Sequence, residues 1–371
     1  MTTDQPVPLV DLTAAHAEIE AEVRAGFDRV LAGGGYVKGP EVAGFEEEYA
    51  AFSDARHCVG AANGTDALEL ALRALDLPPG GGVVLPANTF VATAEAVQRA
   101  GLRPVPVDAD PDHLLIDPAR VAEVLADAVA LLPVHLCGQL APMAALLELA
   151  DGRPVVEDAA QSQGARQDGR ARYGRISATS FYPGKNLGAY GDAGAVVTDD
   201  DDLAAAVRLI GDHGSARKYV HERLGFNSRM DALQAVVLRA KLRRLPAWNE
   251  ARRAAAARYD RLLAGTEGIV TPRTAPGNEH VWHLYAVRVA AGRGRRDALL
   301  AALNAAGIGA GVHYPVPVHL QPAFRHLGYR EGAFPVAERA AGELLTLPLY
   351  PQITAAQQER VVEVLAKALA A

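Results

Sequence analysis

The sequence predicts an α/β protein with a large N-terminal domain, residues 1–245, on a mixed, mostly parallel sheet, and a smaller C-terminal α+β domain, residues 246–371. Three observations carry that expectation. Up to Asp231, short apolar runs ending in polar or glycine-rich turns alternate with Ala/Leu-rich segments of helical period, the pattern of βα units building one sheet. After Asp231 the texture changes to a long Ala/Arg/Leu stretch, roughly Leu233 to Leu263, which reads as one extended helix interrupted or kinked at Pro246 and linking two domains. Finally, 371 residues, 50% apolar and 22% charged, suffice for a substantial core and argue against extensive disorder.

In chain order, strands are expected near His57–Ala61, Val83–Pro86, Arg103–Val107, Ala130–His135, Pro154–Glu157, Ile176–Tyr182 and Ala195–Thr198. Helices should follow Asn63, Thr89, Asp117, Pro142 and Asp200. The first has Asn63 as its N-cap and Leu68, Leu72 and Leu75 on its apolar face. Beyond the long helix, Val281–Ala290 and Gly307–Tyr314 read as strands, the first with alternating apolar residues, and Arg295–Ala306, Val336–Glu343 and Thr354–Leu369 as helices. No repeat of solenoid period is present.

A net charge of −7 gives no general attraction to nucleic acid or anionic membranes, so any phosphate must be held by a local site and the expected partner is a small molecule. The start, Met1-Thr-Thr-Asp-Gln-Pro6, lacks a basic segment leading into an apolar one, and no run is long enough to cross a bilayer; the expected location is the cytoplasm. Cys58 and Cys137 have no metal-ligand spacing, so free thiols and no metal are expected.

Chemistry concentrates around Lys185, in Ser180-Phe-Tyr-Pro-Gly-Lys-Asn-Leu-Gly188, 27 positions after Asp158 in Val155-Val-Glu-Asp-Ala-Ala-Gln161. Only five of the 37 basic residues are lysines, so a plain surface cation here would more often be Arg. Lysine can shed its proton and attack a carbonyl, which arginine cannot. The pair suggests a pyridoxal phosphate site, Lys185 bonding the aldehyde as a Schiff base and Asp158 keeping the pyridine nitrogen protonated.

Other segments fit the same cofactor. In Asn63-Gly-Thr-Asp-Ala-Leu68 the N–H groups of Gly64 and Thr65, with the helix dipole, offer a phosphate cradle; alone, the segment would pass for an ordinary capped helix. Phe90 could stack on a flat ring, although a core phenylalanine reads equally well. Asp158 and Gln161 follow an apolar strand, where ligands bind in open α/β sheets, and Gln161 could reach the ring hydroxyl. Ser180 offers a hydroxyl for phosphate. Pro183-Gly-Lys185 lacks the glycine spacing and following Ser/Thr of a nucleotide P-loop. Gly225-Phe-Asn-Ser-Arg-Met-Asp231, with Lys218-Tyr-Val-His221 before it, reads alone as a loop and a cap.

Together with Gly311-Val-His-Tyr-Pro-Val-Pro-Val-His319, these motifs resemble the nucleotide-sugar aminotransferases of the DegT/StrS type, and the likeness runs from Val7-Pro-Leu-Val-Asp-Leu12 to Leu347-Pro-Leu-Tyr-Pro351. The resemblance implies the aspartate-aminotransferase-like fold type I and a homodimer with active sites shared at the subunit interface. It implies that phosphate is held at Gly64, Thr65 and Ser180, and by Asn227 from the neighbouring subunit. Phe90 matches the stacking aromatic, Asp158 the pyridine partner, Gln161 the residue near the ring oxygen and Lys185 the Schiff-base lysine. Arg229, His313 and His319 become contacts for a donor carboxylate or sugar oxygens, and Lys218 for a diphosphate, each with a structural role as the alternative.

The implied reaction passes an amino group from glutamate, sometimes glutamine, to a nucleotide-linked (dTDP) 3-keto or 4-keto deoxysugar, for a glycosylated natural product such as an antibiotic or for a surface polysaccharide. Family members that dehydrate sugars carry histidine where Lys185 stands. A catalytically silent regulator would be expected to lack one of Asp158, Gln161, Ser180 or Lys185, and an inosose or cyclitol ketone is the alternative substrate.

Overall fold

The computed structural model describes residues 5–371. Its main sheet has seven strands: β1 (His57–Ala61), β2 (Gly82–Pro86), β3 (Arg103–Val107), β4 (Ala128–Leu131), β5 (Val156–Asp158), β6 (Ile176–Ser180) and β7 (Gly194–Thr198). They lie in the order β3-β2-β4-β5-β6-β7-β1, the junction of β4 and β5 being made by the parallel bridges Leu131↔Val155 and Val134↔Asp158. Only β7 runs against its neighbours β6 and β1; the other pairs are parallel. The carboxyl ends of β1, β2, β4, β5 and β6 therefore share one edge, where an open α/β sheet places its ligands. The strands are short and rich in Val and Ala with both faces buried, the signature of a helix-covered sheet.

Five helices precede or border that edge: α1 (Leu12–Ala17), α2 (Glu20–Gly33), α3 (Pro40–Phe52), α4 (Gly64–Ala74) and α5 (Val91–Arg99). Asn63 caps α4, its side chain accepting from the Asp66 N–H at 2.8 Å. Leu68, Leu70 and Leu72 bury that helix against the sheet, α5 and the helix Asp201–Gly211. The sequence reading did not anticipate α1, α2 and α3. Phe45 and Tyr49 of α3 meet Phe181 edge-on at 5.3 and 5.1 Å, in one cluster with Leu187, so the third helix forms a wall behind the Lys185 segment.

Past Asp231 two helices replace the single long one, Ala232–Leu242 and Leu245–Leu262, broken at Arg243–Arg244. Pro246 lies in the first turn of the second, where its missing N–H leaves no helical carbonyl unpaired. A second core gathers Tyr259, Tyr285, Leu299, Leu345 and Val361 around an antiparallel sheet of Ile269–Val270, Tyr285–Val289 and Leu344–Leu347. Gly307–Tyr314, expected as a strand, makes only single bridges, Ile308 to Val7 and Gly311 to Thr346; three glycines among its eight residues weaken it as a strand. Val7 packs in this second core and bridges to Ile308.

Candidate active site

β5 ends on Asp158, which is 4% exposed. Its carboxylate accepts from the Thr93 hydroxyl at 2.8 Å and the Ala160 N–H at 3.1 Å. Burial raises its pKa above the usual carboxylate range, against the lowering pull of those two donors and of the Lys185 and His135 charges. The strand itself is locked from its other face: Glu157 and His135, both buried, meet at 2.7 Å, and the His135 N–H donates to the Asp158 carbonyl. His135 Nδ1 accepts from the Ala141 N–H, so the ring donates to Glu157 through Nε2.

β6 delivers Ser180 and, after Pro183-Gly184, Lys185, whose N–H closes a turn on the Tyr182 carbonyl at 2.8 Å. Burial pushes the Lys185 amine down to about 8, opposed by Asp158 and Cys137. At neutral pH a useful fraction is thus the free amine that nucleophilic chemistry requires. In return, the lysine charge depresses His313 and His283, both already lowered first of all by burial, so two neutral imidazoles face it.

β1 feeds α4. The N–H groups of Gly64 and Thr65 lie in its first turn, where no helical carbonyl precedes them. A Cβ on Gly64 would stand 2.5 Å from Ser180 Cβ and 3.0 Å from its Oγ, so only glycine lets the helix start approach that hydroxyl. Ser180 Oγ accepts from the Tyr182 N–H at 3.3 Å, leaving its own proton free to donate. The result is a compact anion cradle of two backbone donors, one hydroxyl and the positive end of a helix.

β2 leads to Phe90, 49% exposed and 5.2 Å from the Tyr314 ring at 39°. Gln161 links Cys137 and Tyr314, accepting from the Cys137 N–H at 2.6 Å and donating to the Tyr314 hydroxyl at 3.0 Å. A cleft lined among others by Cys137, His280, His313 and Tyr314 adjoins the cluster. Lys185 and Asp158 are not on its wall, and it meets them through Cys137, His313 and Tyr314.

These residues fit pyridoxal phosphate: the Gly64–Ser180 cradle suits the phosphate, and the half-open Phe90 face suits the ring. A ring nitrogen bearing a proton would give the buried Asp158 carboxylate the countercharge that Thr93 and Ala160 do not supply. Of the remaining sequence candidates, His313 joins the cluster, with Nδ1 2.9 Å from the Thr346 hydroxyl.

His319 does not join it. Its ring is 2% exposed, bonded to Glu338 at 2.9 Å and packed on Phe334, so in this chain it ties a 3-10 turn to a helix, the structural alternative to a substrate contact. Lys218 lies exposed on the hairpin Ser215–Arg217/Val220–His221, over the Tyr219 ring. Arg229 pairs with Asp212 and with exposed Asn227. Among the described residues, no hydrogen bond or ion pair joins Lys218, Asn227 or Arg229 to Lys185, Asp158, Gln161 or Ser180. Thr93, Cys137, His283, Tyr314 and the His135–Glu157 pair escaped the sequence reading. Tyr314 stands inside the Gly311–His319 motif and Thr93 three residues past Phe90, whereas His283 has no motif to mark it.

Residues 17–366 match the model of the DegT/DnrJ/EryC1/StrS aminotransferase family. The dTDP-3-amino-3,4,6-trideoxy-alpha-D-glucose transaminase of Streptomyces venezuelae is 48% identical over 363 residues, covering 96% of this chain and 94% of that protein. Among solved structures, S. venezuelae DesV in complex with a ketimine intermediate superposes with a TM-score of 0.94 at 48% identity, covering 98% of each chain. The ntda protein of Bacillus subtilis with bound cofactor PMP gives 0.89 at 31% identity, covering 100% of this chain and 86% of that one. With the amine, the buried carboxylate and the anion cradle gathered at one sheet edge and a match over nearly its whole length, this chain belongs to the DegT/DnrJ/EryC1/StrS aminotransferase family and is a pyridoxal-phosphate-dependent aminotransferase.

Proposed function

We propose that this enzyme moves the amino group of glutamate or glutamine onto the C3 ketone of a dTDP-linked deoxysugar, acting as a homodimer in the cytoplasm, where its two unpaired thiols stay reduced. The observation that carries the reading is the nearly end-to-end match to a transaminase named for a C3 amine on a dTDP sugar. The regulatory alternative is disfavoured because Lys185, Asp158, Gln161 and Ser180 are all present.

Pyridoxal phosphate bound in this site supplies an electron sink for the pair left when a Cα–H bond of the donor breaks. In this reading Asp158 would hold the proton on the ring nitrogen, while Gly64, Thr65 and Ser180 would bind the phosphate. Lys185 Nζ would take up one proton and give one back in each half-reaction, receiving the donor's α-proton in the first and delivering a proton to the sugar carbon in the second, a role its lowered pKa suits. Phe90 would cover the ring and Gln161 would lie near the ring oxygen. His313, neutral and beside Lys185, is placed to hydrogen-bond a sugar or carboxylate oxygen.

The dimer completes the cradle: Asn227, exposed and without a hydrogen bond to Ser180 in its own chain, and Lys218 would enter the neighbouring subunit's site. The hairpin that leads to them leaves Tyr219 83% and Leu224 92% exposed, apolar area that a second copy would bury. No described helix is long and apolar enough to cross a membrane. Incubating enzyme and glutamate with 3-keto and 4-keto dTDP-sugars and locating the new amine tests the reading. An amine at C3 is expected; an amine only at C4 would refute the position, and inactivity on both would favour a cyclitol ketone.

A further inference from the structure

Lys241, on the helix Ala232–Leu242, is 4% exposed. Its Nζ donates to the Gly188 carbonyl at 2.6 Å and lies 5.0 Å from the centre of the Tyr190 ring. Two turns earlier, on the same helix face, Gln234 Oε1 accepts the Tyr190 N–H at 2.8 Å. One helix thus grips residues 188 and 190 by two side chains.

What it grips is the closed turn that carries Lys185. The Ala189 N–H donates to the Phe181 carbonyl at 2.8 Å, shutting the base of the loop, and the Lys185 N–H shuts its tip on Tyr182. Gly188 is folded so tightly onto this turn that a Cβ there would stand 2.3 Å from the Pro183 carbonyl oxygen. Gly188 cannot shift without moving the backbone on which Lys185 is mounted.

A buried ammonium satisfied by one carbonyl and one ring face is a poor stabiliser, because desolvation outweighs what those partners return. Burial holds the Lys241 pKa down at about 8, which reports the same penalty. A methionine would fill the volume without it.

We propose that Lys241 is a positioning residue for the transamination: by holding the Gly188 carbonyl it fixes the turn that aims the Lys185 amine, and stability is given up for that register. The inference rests on Lys185 being the reacting amine, so the test separates the two claims.

Lys241→Met and Gln234→Leu are compared with the parent enzyme, full-length and cofactor-loaded. First, borohydride reduction and peptide mapping ask whether the parent carries cofactor on Lys185; failure there sinks the functional reading itself. Next, turnover per bound cofactor and amide hydrogen exchange of the 181–191 loop are measured. With Lys241→Met we expect turnover to fall about 10- to 100-fold, both KM values to move far less, exchange to quicken in that loop alone, and the melting temperature not to fall. Unchanged loop exchange with unchanged turnover would overturn the proposal, as would quickened exchange spread over the whole chain, which marks a merely structural residue. Should Lys241→Met not fold, Gln234→Leu decides by the same readouts, with a smaller effect of the same pattern expected.

Discussion

Burial gives Lys185 its chemistry by making its proton easy to lose, and this has a measurable cost in the cofactor-free chain. The unfolded chain keeps the proton up to an ordinary lysine pKa of about 10.4, whereas the folded chain releases it near 8. The group therefore destabilises the fold below about pH 8, and stability recovers as pH rises from there towards about 10.4. Cofactor-free Lys185→Met should thus resist urea better than the parent at pH 7, with the gap closing by pH 10; a constant gap would mean that the amine is not desolvated. Lys185→Ala should still bind cofactor but lose at least about 10³-fold in turnover, since it removes the proton carrier of both half-reactions. At the facing carboxylate, Asp158→Asn keeps the shape and the Thr93 contact but removes the charge that would hold the ring proton. Turnover should drop on the order of 10²-fold with donor KM little changed, to be checked by steady-state kinetics on both substrates.

The first turn of α4 is where local structure becomes ligand binding. Gly64→Ala drives a Cβ into Ser180 and should weaken cofactor binding on the order of tenfold, the equivalent of about 1.4 kcal/mol, in a fluorescence titration. Asn63→Ala removes the cap and should cost about 1 kcal/mol of stability without closing the cradle, so its affinity loss should be smaller. This element was legible in the sequence because an N-cap, two small residues and an apolar stripe are local signals. β1 to β3 were legible for the same reason, each being a short apolar run between turns. The helices α1 to α3 were not: their buried faces are made by partners far along the chain, Phe45 and Tyr49 by Phe181, Val23 by Val237. Gly307–Tyr314 reads as a strand in the sequence, but its three glycines weaken pairing, and it makes single bridges and contacts through His313 and Tyr314 in place of a ladder.

Across the molecule, Lys185, Asp158, Ser180, Gln161 and Gly64 could be read from the sequence because each sits in a short motif at a strand end, and the fold then brings those ends to one edge. His283 and Thr93 could not be assigned roles, since their meaning arises only when distant segments meet, and His319 looked like a ligand group because a motif does not record which way a ring is buried. Mixing tests the inferred dimer: Lys185→Ala and Asn227→Asp, each nearly inactive, should regain roughly a quarter of parent activity through hybrids that hold one intact site. No recovery after subunit exchange would place Asn227 in its own chain's site or nowhere near one.

The most direct measurement is the absorption spectrum of the purified enzyme before and after borohydride reduction, followed by peptide mapping. The expected result is a visible band that disappears on reduction and a cofactor mass fixed to the peptide bearing Lys185. A cofactor mass on Lys241 or Lys38, or none on any lysine of a protein incubated with pyridoxal phosphate, would contradict the site described.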